Sequence, residues 1–177
     1  MNLPQVNLEQ TTIPELIDYI LRRYHEPLPG QVMRIGQQLQ LLAARPSEHQ
    51  ANLQLLGKLV RELWAELEPH LLKEERVLFP MIQAVYASLA SGRPAMPPPM
   101  QLVSGPIRVM KMEHERADEI LAALDEATSH YEVSTVTDPG LRALYAELQT
   151  LDVELREHIR LENERVFQAM VDLSGAR

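Results

Sequence analysis

The sequence predicts an all-α protein folded as an up-down-up-down four-helix bundle, with an approximate internal two-helix duplication. Three observations carry this expectation. Apolar residues recur at alternating steps of four and three in four separate segments, clusters of turn-forming residues fall between the segments, and a pattern of His and Glu in the first half returns in the second.

The first segment places Leu21, His25, Leu28, Val32, Ile35, Leu39 and Leu42 along one helical face, and Arg45-Pro46-Ser47-Glu48 ends it. Pro27 and Pro29 fall inside this run. Each removes one backbone hydrogen bond, and because the apolar spacing resumes in phase beyond them, a kinked helix is expected rather than two helices. The second segment runs Leu56, Val60, Leu63, Leu67, His70, Glu74, Val77 and Met81, with Pro69 and Pro80 inside it. Ser91-Gly92-Arg93-Pro94, Pro97-Pro98-Pro99 and Ser104-Gly105-Pro106 then read as a plain crossover at about 91–106. The third segment gives Ile107, Met110, His114, Ala117, Leu121 and Leu124, and Thr137-Asp138-Pro139-Gly140 marks the last turn. The fourth gives Leu144, Leu148, Leu151, Leu155, His158 and Glu162. Such steps are the inward seam of a bundle helix, so residues 1–177 are expected to form one domain, with halves at about 12–90 and 107–174.

Composition narrows the function classes. The 177 residues, 45% hydrophobic, are enough for four helices of roughly 25 to 35 residues. No apolar run approaches the roughly 20 residues that span a bilayer, and the first nine residues lack the basic and apolar regions of a signal peptide, so a cytoplasmic protein is expected. Without a single Cys there is no disulfide, no thiolate nucleophile and no cysteine-held cluster. A net charge of −8 with no Lys/Arg cluster argues against nucleic acid or an anionic membrane as partner.

The seam residues that are not apolar carry the chemistry. His25 and His70 lie 45 residues apart, His114 and His158 lie 44 apart, and Glu74 and Glu162 each follow the second His by four. Phe79 and Phe167 each follow that Glu by five. A carboxylate in an apolar interior costs several kcal/mol unless it is paired or metal-bound, so four His and two Glu facing one core need a common partner. A metal pair supplies one. Residues four apart share a helix face, so His70 with Glu74 and His158 with Glu162 suit a terminal imidazole beside a bridging carboxylate, and His25 and His114 add one imidazole each. Two ions so held keep open positions for a small ligand. Iron, manganese and zinc all accept these donors. His49 and His130, near turns, are expected to be exposed; Glu26 and Glu115, beside their His, read as polar neighbours or as groups supporting the imidazoles rather than as ligands, and Tyr24, a candidate for the same support, reads rather as packing.

Four motifs make the chain resemble a known family. Tyr24-His25-Glu26, the run from His70 through Glu74 and Glu75 to Phe79-Pro80, Gly105-Pro106-Ile107 with Glu113-His114, and His158 with Glu162-Asn163 resemble the hemerythrin-like domain, and among its members the repair of iron centres proteins. The resemblance covers about 13–173. It implies two non-haem iron ions per chain, oxo- or hydroxo-bridged, with His25, His70, His114 and His158 as terminal ligands and Glu74 and Glu162 as bridges. Oxygen-carrying relatives use five His; here Asp118 stands four residues after His114 and Asn163 five after His158, which implies a more symmetric four-His, two-Glu centre. The resemblance further implies redox or iron-handling chemistry in the response to nitric oxide and oxidative stress, with damaged iron-sulfur proteins as partners. The repair proteins carry a cysteine-containing domain ahead of the bundle, whereas this sequence starts almost at the first helix. Two other readings stand beside this one: a module that reversibly binds or senses dioxygen or nitric oxide, and a metal-free bundle in which His and Glu pair with one another.

Overall fold

Helix starts follow from local chemistry. Glu15 reaches back to Thr12, accepting from its N–H at 3.0 Å and its hydroxyl at 2.7 Å, and so opens α1 (Ile13–Ile20). Asp138 accepts from the N–H groups of Gly140 and Leu141, and Pro139 needs no donor at the first position of α6 (Pro139–Leu161). The computed structural model describes residues 8, 10–46, 49–91, 100–134 and 136–175. These are all helix or connection, in four rods. The first joins α1, a π-helical turn (Leu21–His25) and α2 (Leu28–Ala43). The second joins α3 (Gln50–Lys73), a π turn (Glu74–Leu78) and α4 (Phe79–Ala90). The third is α5 (Met100–Ala127), and the fourth joins α6, a π turn (Glu162–Phe167) and α7 (Gln168–Gly175).

Two apolar clusters fill the interior, and a polar layer separates them. One contains Val32, Ile35, Leu56, Leu63, Leu121, Leu144 and Leu151 among its buried members. The other contains Leu16, Ile20, Phe79, Ile82, Met110, Phe167 and Met170. His25, His70, Glu74, His114, His158 and Glu162 fall between the two clusters along every rod. The first and third rods pass from the second cluster to the first; the second and fourth run the other way. Each fully buried Leu, Ile or Phe contributes about 1.5–3 kcal/mol on leaving water, so the clusters hold the polar layer in place from both sides.

The structure corrects four expectations. Val77 is 65% exposed and Met81 only half-buried; Leu78, Phe79 and Ile82 take the seam instead. A π turn holds one residue more than an α turn, so every later side chain is rotated by about 100° and the seam slips by one. The same slip in the first rod leaves Leu21 half-buried and puts Ile20 and Tyr24 inside. Leu42 at the far end of that rod is also only half-buried. As the in-phase spacing predicts, the rod does not break at Pro27: Glu26 donates to Leu21 at 2.9 Å, Glu26 and Pro27 keep right-handed helical angles, and Pro29 falls in the first turn of α2, where a backbone donor has no partner within the helix. Finally, Ser104-Gly105-Pro106 is not loop but part of α5, where burial of Ile107 and Met110 on the seam offsets the ladder bond that Pro106 removes. The rest of the expected crossover, 92–99, lies outside the described residues, as do Ser47 and Glu48.

Candidate metal centre

Three of the four rods carry a π turn at the level of the polar layer, and the third, α5, brings His114 inward from a plain α-helix. His25 ends the first π turn, and Glu74 and Glu162 open the other two. The extra residue of these two turns re-aims the side chains that follow Glu74 and Glu162, and π turns commonly fall at functional sites. No member of the set is more than 3% exposed. His25 Nε2 faces His158 Nε2 at 3.0 Å, and His114 Nε2 faces His70 Nε2 at 3.0 Å. Two imidazole nitrogens bound at right angles to one ion, at about 2.1 Å each, stand about 3 Å apart.

Both glutamates serve both pairs. Donor atoms of His25, His158, Glu74 and Glu162 all lie within 4.8 Å of one another, and so do those of His70, His114, Glu74 and Glu162. Glu74 lies 3.6 Å from His25 Nε2 and 3.4 Å from His70 Nε2, and neither of its oxygens makes a hydrogen bond. Glu162 Oε1 accepts from His158 Nε2 at 2.7 Å, while its Oε2 lies 3.2 Å from His114 Nε2 without hydrogen-bond alignment. A fully buried carboxylate with two unsatisfied oxygens is costly, and a divalent cation between the imidazoles satisfies it. The donor set therefore fits two cations sharing two carboxylates.

Without an ion, protons take the place of positive charge. Burial alone would lower His70, but Glu74, Glu162 and Glu113 outweigh it and raise it to about 9. His25 is raised in the same way, against burial, by Glu162, Glu74 and Glu75. Burial would raise Glu162, yet His158, His114 and His25 hold it well below the usual carboxylate value.

The residues around the imidazoles differ from those the sequence suggested. Glu26 and Glu115 are exposed. The outer nitrogens are met instead by Glu75 (His25 Nδ1, 3.1 Å), Glu113 (His70 Nδ1, 2.8 Å) and Asn163 (His114 Nδ1, 3.2 Å). Glu75 and Asn163 each follow a bridging-type Glu directly, and that matched position was the signal available. Tyr24 does pack, with its ring parallel to His158 at 5.3 Å between centroids. Phe79 and Phe167 lie against His25 and His114 at 5.6 and 5.8 Å. His49 and His130 are exposed, and His130 pairs with Asp125. Asp118 points away from the layer and binds Arg156 at 2.9 Å.

The profile of the hemerythrin HHE cation binding domain matches residues 16–170. Proteins called iron-sulfur cluster repair protein YtfE are similar over 159 residues: 33% identical in Cronobacter sakazakii, and 32% in Escherichia coli and Escherichia fergusonii. The aligned region covers 88% of this chain and 64% of those relatives. The match spans all four rods and the whole polar layer, and the chain belongs to the hemerythrin HHE cation-binding family.

Proposed function

We propose that this protein holds two non-haem iron ions and serves in the repair of iron-sulfur clusters damaged by nitric oxide or oxidative stress. His25 and His158 hold one ion, His70 and His114 the other, and Glu74 and Glu162 span both. The observation that carries the reading is the pair of four-residue clusters sharing the same two fully buried glutamates, one of which has neither oxygen satisfied. The name of the YtfE relatives supplies the repair role. Iron bound by such donors supplies a one-electron couple and open positions for a small diatomic ligand. The protein residues bind and orient: the imidazoles give up their inner protons, the glutamates neutralise charge, and Phe79, Phe167 and Tyr24 keep bulk water from the imidazole faces. Near-complete burial of all six suits dioxygen or nitric oxide and nothing much larger.

The same reading takes residues 1–177 as one up-down-up-down bundle built from two matched halves. The alternating order in which successive rods cross the two apolar clusters supports it, as do the paired roles of Glu74 with Glu162 and Phe79 with Phe167. Among the described residues no helix is long and apolar enough to cross a membrane, and we place the protein in the cytoplasm with the cluster proteins it would serve. Anaerobic purification, metal analysis and visible absorption before and after dioxygen and nitric oxide test the proposal, followed by incubation with a nitric-oxide-damaged cluster enzyme. Two irons per chain and recovery of the damaged enzyme are expected. Two irons with a fully reversible gas adduct and no recovery would instead favour a sensor or carrier, and less than one transition metal per chain would remove the metal reading.

A further inference from the structure

The two halves of the polar layer match in their inner donors but not in what stands behind them. A metal-bound imidazole ordinarily donates its outer N–H to a carboxylate, carbonyl or amide, which fixes the ring and strengthens it as a ligand; losing that partner typically weakens metal binding about 10- to 100-fold. Both imidazoles of the His70/His114 pair have one: His70 Nδ1 meets Glu113 at 2.8 Å and His114 Nδ1 meets Asn163 at 3.2 Å. Glu113 is itself held by Lys73.

In the other pair, His25 Nδ1 meets Glu75 at 3.1 Å, a carboxylate 39% exposed against 24% for Glu113. His158 Nδ1 is buried and has no hydrogen-bond partner among the described residues. The reason lies in one position. Glu113 directly precedes His114 and reaches across to His70; the matched position before His25 is Tyr24, whose ring lies flat on His158, 4° from parallel, and turns no acceptor toward its outer nitrogen. The neighbouring phenylalanines, by contrast, are matched between the halves.

We infer that the two metal positions are unequal, the His25/His158 position giving up its ion first while the His70/His114 position retains its own. The inference rests on the two-ion reading above. It gives the protein one releasable and one resident ion, and makes Glu113 a positioning residue for the resident one.

The test begins with the anaerobically iron-loaded native chain, challenged with ferrozine while release is followed in time. Two phases of one ion each, at least about tenfold apart in rate, are expected. Crystals of half-depleted protein measured at the iron absorption edge should show the loss at His25/His158. The variant Glu113→Gln should accelerate the slow phase about 10- to 100-fold and leave the fast phase nearly unchanged, a split that general destabilisation would not produce. Single-phase release with equal depletion at both positions, or first loss at His70/His114, overturns the inequality while leaving the two-ion reading intact. Uptake of fewer than two ions overturns that reading, and this inference falls with it.

Discussion

The metal-free protein should lose stability as pH rises from 6.5 to 9, where most proteins change little. The perturbation is removal of the ion, which leaves His70 Nε2 facing His114 and Glu74 in a sealed layer. Folded, His70 keeps its proton to about 9; unfolded, it releases it near 6.5. A folded value raised above the unfolded one means that the proton stabilises the fold. That contribution is complete below 6.5 and is lost as pH climbs through 9. At about 1.4 kcal/mol per pH unit of difference, His70 alone contributes on the order of 3 kcal/mol, a large share of a typical total of about 5–15 kcal/mol. His25 is shifted in the same direction and adds to it. Glu162, held low, loses its contribution only as pH falls through its folded value, so it is silent in this window. Helical circular dichroism during heating, in chelator, should show a melting temperature falling by on the order of 10 °C across the window. The iron-loaded protein should stay nearly level, because the ion has replaced the protons. A metal-free melting temperature that stays level or rises between pH 6.5 and 9 would refute the argument that protons substitute for the metal.

Other consequences follow from the same geometry. Substituting Glu74→Gln and Glu162→Gln together removes the shared anionic donors and should drop bound metal below one ion per chain by elemental analysis; unchanged metal content would favour a bundle in which His and Glu merely pair. Leu63→Ala, in the cluster beyond the layer, should cost about 2–5 kcal/mol in urea unfolding yet leave the visible spectrum of the iron-loaded protein in place, whereas Phe167→Ala should cost about 3–5 kcal/mol and also shift the spectrum, since that ring lies 9° from parallel on His114. Asp138→Ala removes a cap accepting from two N–H groups and should cost about 1 kcal/mol without touching metal content.

Much of this protein is written locally. The steps of four and three place Ile107, Met110, His114, Ala117, Leu121 and Leu124 on one buried stripe of α5, the rod without a π turn, and all six are buried as expected. The six polar members of the layer were legible for the same reason: they occupy core positions where a His or Glu is out of place, in two copies at nearly equal spacing. Thr137-Asp138-Pro139-Gly140 was legible as a turn because turn chemistry depends on neighbours in sequence alone, and the structure adds that Asp138 caps the helix that follows. What escaped depends on rods meeting. Hydrophobic spacing assumes a constant turn, so the π turns at Leu21–His25 and Glu74–Leu78 moved the seam from Leu21 and Val77 to Tyr24 and Leu78. The outer partners of the imidazoles come from other rods, Glu75 to His25 and Glu113 to His70, and no spacing along one chain shows which side chain will reach across. The sequence by itself determined a helical bundle with a polar layer of four His and two Glu, because periodicity and burial are properties of each helix. Only the tertiary structure decided how the six pair and which imidazole stands without support, because those depend on where four separate helices put their side chains in one shared space.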